Sequence, residues 1–240
     1  MPSDLHVVNT KPLISPRRLE QDIPLTAEAR TTVEQARQTI GNILRKQDNR
    51  LLVVIGPCSI HDVEAAKEWA ARLANISAQL QDRMYVVMRT FFEKPRTTVG
   101  WQGLICDPDI NGSNNGEEGL RRARQLLVDI NSLGLPTAME VIDPIVSQYL
   151  AELLAVTTVG ARTSESSTQR RLASGLSMPV GFKNGTDGDL QGAINAIVAA
   201  QYPQSFFGID PDGRSAVVHT TGNHEGFLIM RGGRTGTNFD

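Results

Sequence analysis

Cysteine is scarce: only Cys58 and Cys106 occur in 240 residues, too few for a disulfide framework in a domain of this size. No apolar run reaches the ~18 residues that a membrane helix needs, and no charged-then-apolar leader opens the chain. The expected setting is therefore a reducing cytoplasm, with no membrane partner. Neither sign of charge dominates, since 24 basic and 26 acidic residues leave a net charge of −2. Without a global positive field nucleic acid is not an expected partner, and any anion site must be built locally. Internal repeats, low-complexity tracts and blocks of like charge are all missing.

What is present is a chain that is 40% hydrophobic and 21% charged, which suits one globular domain with a substantial core. Residues 1–50 read as an N-terminal extension: a proline-punctuated stretch from Pro12 to Pro24, then a helix over about 27–46. From Leu51 onward short apolar runs alternate with helical patterns. The runs are LLVVIG at 51–56, MYVVMRTF at 84–91, PTAMEVI at 136–142, TTVGAR at 157–162, PVGFKNG at 179–185 and GFLIMRGG at 226–233. Helices are predicted over 62–80, 117–133, 145–155, 165–175 and 189–200. The turn DPDGR at 210–214 marks a hairpin over 205–220, expected to be appended to the main sheet.

Near-continuous apolar strands separated by helices imply a parallel sheet covered by helices, either doubly wound or a (β/α)8 barrel. No GxGxxG follows the first strand, which removes the main support for a dinucleotide-binding sheet and favours a barrel. In either architecture the active site lies at the C-terminal ends of the strands. Those ends are basic here, with Arg89, Lys94 and Arg96 after the second strand, Arg162 after the fourth, Lys183 after the fifth and Arg231 after the sixth. Any one of them is ordinary at an exposed strand end. Six on one rim of a nearly neutral chain point to one or two phosphorylated ligands.

The long loop from about 92 to 116 exceeds the usual connection length and is a functional suspect. Its segment FEKPRTTVGW, and GARTSES at 160–166, combine cations, hydroxyls and glycines suited to a phosphate cradle. After the first strand, GPCSIHD at 56–62 supplies Cys58, His61 and Asp62. Two readings stay open: metal-ligand types in an unfamiliar spacing, or a buried structural thiol beside a hydrogen-bonding histidine. Glu140, at the end of the third strand, either orients or deprotonates a water or forms a plain salt bridge.

GPCSIHD, EKPRTTVGW at 93–101, GARTSES, GFKNGTDG at 181–188 and IMRGG at 229–233 closely resemble, in order and spacing, the feedback-regulated microbial class I synthases of 3-deoxy-D-arabino-heptulosonate 7-phosphate (DAHP). The resemblance implies a (β/α)8 TIM barrel and a divalent metal of the Mn, Fe, Co or Zn type. Phosphoenolpyruvate is then expected on Arg89, Lys94, Gly160, Ala161, Arg162, Lys183 and Arg231, and erythrose 4-phosphate on Lys94, Pro95, Arg96 and Thr97. It further implies Lys94 and Glu140 as proton-handling catalytic groups and Cys58 as a metal ligand. The other ligands, a histidine, a glutamate and an aspartate, are expected on later strands than the chain contains.

On that reading the chain holds about six of eight β/α units and stops short of the family's C-terminal end. Its first and sixth strands are then unpaired edges that invite pairing with another chain. An alternative is a catalytically inactive remnant that binds phosphoenolpyruvate or pairs with a full-length subunit. Resemblance also implies a dimer or tetramer using residues 1–50, and an aromatic amino acid effector near Ser177 and Phe206. Val156, Gln169 and Arg171 replace the family's usual tryptophan, histidine and glutamate, and are expected to act on packing, subunit contacts or feedback.

Overall fold

Each apolar run becomes a strand in the computed structural model, which describes residues 6–233 and 236. The strands are β1 (Leu51–Ile55), β2 (Met84–Arg89), β3 (Thr137–Glu140), β4 (Val156–Val159), β5 (Val180–Lys183), β6 (Ser205–Ile209), β7 (Ser215–His219) and β8 (Gly226–Ile229). The helices are α1 (Pro16–Asp22), α2 (Ala27–Leu44), α3 (Val63–Leu80), α4 (Gly116–Ser132), α5 (Val146–Leu150), α6 (Ser167–Ala173) and α7 (Gln191–Ala200). Helix starts follow the capping chemistry of the sequence. Thr26 Oγ1 accepts from the Ala29 amide, and Asp62 Oδ1 accepts from that of Ala65 at 3.0 Å. The short α1, absent from the periodicity reading, is set by Ser15 as cap and Pro16 at its first turn.

Six strands form one parallel sheet in the order β1-β2-β3-β4-β5-β8, and it curls as half of a barrel. Among the described residues β1 and β8 are its outer strands, and Leu51 and Ile55 of β1 are exposed. The hairpin departs from expectation. β6 and β7 pair only with each other, as a separate two-stranded antiparallel sheet. It joins the rest outside the main sheet: Phe206 packs with Val141 and Leu172, and Arg17 at the start of α1 pairs with Asp212 in the hairpin turn at 2.7 Å and donates its backbone N–H to the Pro211 carbonyl at 2.9 Å.

Side-chain alternation assigns the two faces of the large sheet. One face, including Val86, Met88 and Met139, packs with residues of α3 and α4 such as Ala70, Leu126 and Leu127. Val159, Val180 and Phe182 pack with Ala193 and Ala196 of α7. The opposite, inner face carries Leu52, Tyr85, Val87, Ala138, Val156 and Phe227, all clustered with Ala36, Ile40 and Leu44 of α2. Those three helix residues are spaced i, i+4, i+8, one stripe of a helix. Part of the N-terminal extension therefore seals the inner face within the same chain.

Candidate active site

One step further along the same inner-facing parity, toward the C-terminal strand ends, the apolar layer gives way to charge. Arg89 follows Tyr85 and Val87, Glu140 follows Ala138, and Lys183 follows Gly181, with Arg89 in register with Ala138 and Lys183 with Ile229. Two glycines admit the close approach of these groups. A Cβ on Gly56, at the exit of β1, would lie 2.5 Å from the Arg89 carbonyl oxygen, and one on Gly160 would lie 2.9 Å from Glu140 Oε1.

The rim encloses two adjoining hollows. A cleft of about 390 Å³ is lined by Cys58, Arg89, Phe91, Glu93, Lys94, Pro95, Arg96, Thr97, Glu140, Arg162 and Lys183. A smaller recess of about 90 Å³ shares Pro95, Glu140, Arg162 and Lys183 and adds Ile142, Gly160, Ala161, Thr163 and Arg231. Every residue expected to touch a substrate thus lines one hollow or the other. The six cations, far apart in sequence, meet at one place.

Among the described residues only Lys183 of the six has a carboxylate partner, Glu140, to which its Nζ donates a short hydrogen bond. Arg89 donates from Nη2 to the Cys58 carbonyl at 3.1 Å and stacks 4.0 Å from the Phe91 ring centre. Its Nε is buried with no partner. Lys183 Nζ lies 5.3 Å from the same ring. Arg96 Nε donates to the Trp101 carbonyl at 2.7 Å. Five cations without counter-ions and an orphaned guanidinium N–H are what a multiply charged anion would satisfy.

Cys58 is exposed, which rules out the buried structural thiol. Lys94 Nζ donates to its Sγ at 2.7 Å, and this hydrogen bond, with the nearby charges of Lys94, Arg89 and Arg96, draws the thiol pKa below its ordinary value. His61 and Asp62 do not join it. Asp62 caps α3, and His61 lines a different hollow with Asp62, Glu64, Leu104 and Arg122.

Sequence reasoning missed two residues. Phe91 presents the ring shared by Arg89 and Lys183; its only signal was an aromatic residue just past an apolar strand. Glu93 is 5% exposed, and it accepts the Asp143 amide at 3.1 Å and the Ile142 amide at 3.4 Å. Burial, above all, pushes its carboxyl up to about 8, with the Asp143 and Glu140 charges adding to the rise against the two amide hydrogen bonds. In the sequence it was one acid inside a longer motif.

Comparison with known proteins decides the family. The DAHP synthetase I family model matches residues 22–240. The chain belongs to this family. It is 53% identical over 231 residues to the Phe-sensitive phospho-2-dehydro-3-deoxyheptonate aldolase of Escherichia coli, covering 96% of the chain and 66% of that relative. It is 51% identical over 239 residues to an aldolase of the same name from Alternaria alternata, covering 99% of the chain and 64% of the relative. The solved aldolase from Francisella tularensis superposes with a TM-score of 0.96 at 46% identity, covering 98% of the chain and 69% of that structure. The chain thus spans about two thirds of the length of these family members.

Of the metal ligands that the resemblance implies only Cys58 lies in the cleft, which the carboxylates of Glu93 and Glu140 also line. Among the described residues no group of three His, Cys, Asp or Glu side chains is placed to hold a metal ion. The described donors do not fit one. Of the other expected positions, Ser177 is exposed just beyond α6, while Phe206 is buried against Val141, the residue after Glu140. Val156 fills the inner core, Gln169 is buried and Arg171 is exposed. No helix among the described residues is long and apolar enough to cross a membrane.

Proposed function

We propose that this chain supplies the phosphoenolpyruvate and erythrose 4-phosphate cradle of an enzyme that condenses the two, with water, to DAHP and phosphate at the entrance to aromatic amino acid biosynthesis. The observation that carries this reading is the meeting of Arg89, Lys94, Arg96, Arg162, Lys183 and Arg231 around two adjoining hollows. Arg89, Arg162, Lys183 and Arg231 hold the phosphate and carboxylate of phosphoenolpyruvate, with Gly160 and Ala161 letting the backbone approach. Pro95, Arg96 and Thr97 hold the phosphate of the aldose.

When carbon 3 of phosphoenolpyruvate attacks the aldehyde, Lys94 protonates the new alkoxide. Glu140, held by Lys183, orients the water that adds at carbon 2 before phosphate departs. The half-barrel is read as belonging to an eight-unit (β/α)8 barrel. Residues 1–50 are read as dimer or tetramer contacts, Ser177 and Phe206 as the edge of an aromatic amino acid pocket, and the cytoplasm as the setting. Support for the pocket is the Phe206–Val141 contact next to Glu140.

A second reading, a catalytically inactive remnant that binds phosphoenolpyruvate or pairs with a full-length subunit, is favoured because among the described residues no group of three His, Cys, Asp or Glu side chains is placed to hold a metal ion. One assay separates the two. Phosphoenolpyruvate binding is expected under both, whereas phosphate release requiring both substrates and manganese supports the enzyme. Binding with no release supports the second reading, and no binding rejects the enzyme and the binding remnant alike, leaving only the pairing form, which co-purification with a full-length subunit checks.

A further inference from the structure

The peptide group joining Ile142 and Asp143 is held on both sides by side chains from other parts of the fold. Its carbonyl oxygen, on Ile142, accepts from Gln169 Nε2 of α6 at 2.7 Å. Its N–H, on Asp143, donates to Glu93 Oε1 in the loop after β2 at 3.1 Å, and the neighbouring Ile142 N–H reaches Glu93 Oε2 at 3.4 Å. Just before it, the Val141 N–H donates to the Thr158 carbonyl at 2.9 Å, extending the β3–β4 ladder. One backbone unit therefore ties the ends of three successive β/α units: the loop bearing Lys94 and Arg96, the strand bearing Glu140, and the helix after Arg162.

Both clamping side chains are 5% exposed, and neither is a surface accident. Gln169 Oε1 is buried with no partner, yet turning the amide round would set that oxygen against the Ile142 carbonyl, so the observed orientation is fixed. Leaving an acceptor unsatisfied costs stability, and the hydrogen bond to the Ile142 carbonyl is what offsets that cost. Ile142 itself lines the recess with Arg162, Lys183 and Arg231.

We propose that Glu93 and Gln169 are positioning residues, which set the spacing of the phosphate-binding cations by clamping the Ile142–Asp143 peptide. This rests on the phosphoenolpyruvate reading above. The test combines phosphoenolpyruvate titration with amide hydrogen exchange at Asp143 in wild type, Gln169→Leu, Glu93→Ala and Glu93→Gln.

Gln169→Leu removes the unpaired Oε1 at similar volume but also strips the Ile142 carbonyl of its donor, so the thermal midpoint is expected to change little while affinity falls ~10-fold, the scale at which small misplacements are felt. Glu93→Ala is expected to weaken binding similarly and to speed Asp143 exchange at least tenfold. Glu93→Gln, which keeps an acceptor for that amide, is expected to recover most of both. Folded Gln169→Leu and Glu93→Ala chains with wild-type affinity overturn the proposal. Failure of the wild type to bind phosphoenolpyruvate overturns the functional reading instead, and unchanged Asp143 exchange then overturns the clamp as well.

Discussion

Lys183→Met is expected to cost ~3 kcal/mol of stability, because it leaves the Glu140 carboxylate buried without its only ion-pair partner. Glu140 is 6% exposed, and Lys183 is its sole ionic contact among the described residues. The double substitution Lys183→Met with Glu140→Gln is expected to recover most of that loss, since a neutral amide is far less costly to bury than an unpaired charge. Phosphoenolpyruvate affinity follows a different pattern. Charge-assisted hydrogen bonds are worth about 1.5–3 kcal/mol, so both Lys183 variants should bind ~10- to 100-fold more weakly, whatever their stability. Urea unfolding beside ligand titration checks this. A double variant that stays as unstable as the single one would show that the pair is not what holds Glu140.

The second large effect is a pH dependence of stability centred on Glu93. Its folded-state pKa is raised from 4.5 to about 8, mainly by burial, with the Asp143 and Glu140 charges adding to the rise. Lys94, Cys106 and Asp143 also face it across a neighbouring hollow. A group bound more tightly to its proton in the folded state contributes stability that is complete below pH 4.5 and is lost as pH rises through about 8. Between pH 5.5 and 8 the wild type should therefore lose ~3 kcal/mol from this group, and Glu93→Gln should remove most of the slope. Unfolding midpoints across that range provide the measurement, and an unchanged slope in the variant would contradict the assignment.

The sequence disclosed the β/α rhythm because each strand and helix writes its own period, and the bounds of the six main-sheet strands shift by no more than four residues. Strand-end cations were legible for the same reason: parity and direction along a parallel strand put Arg89, Lys183 and Arg231 on one rim. The rest depended on distant pairings that no local period encodes. The stripe Ala36–Ile40–Leu44 reads simply as a helix face, and only the tertiary structure shows the six-residue inner layer it covers. The hairpin strands carried a strand pattern, but their partners are set by Phe206 packing on Val141 and Leu172 rather than by a ladder to the main sheet. Glu93 looked like a soluble acid until residues 142 and 143 folded over it.

Equilibrium titration of phosphoenolpyruvate into wild type, Arg162→Ala and Arg231→Ala is the most direct test of the shared phosphate rim. Both arginines are exposed, come from different β/α units and line the same recess, so each can be removed with little effect on folding. The account requires saturable wild-type binding that inorganic phosphate competes for, weakened ~10-fold or more by either substitution. Binding indifferent to both substitutions would contradict it.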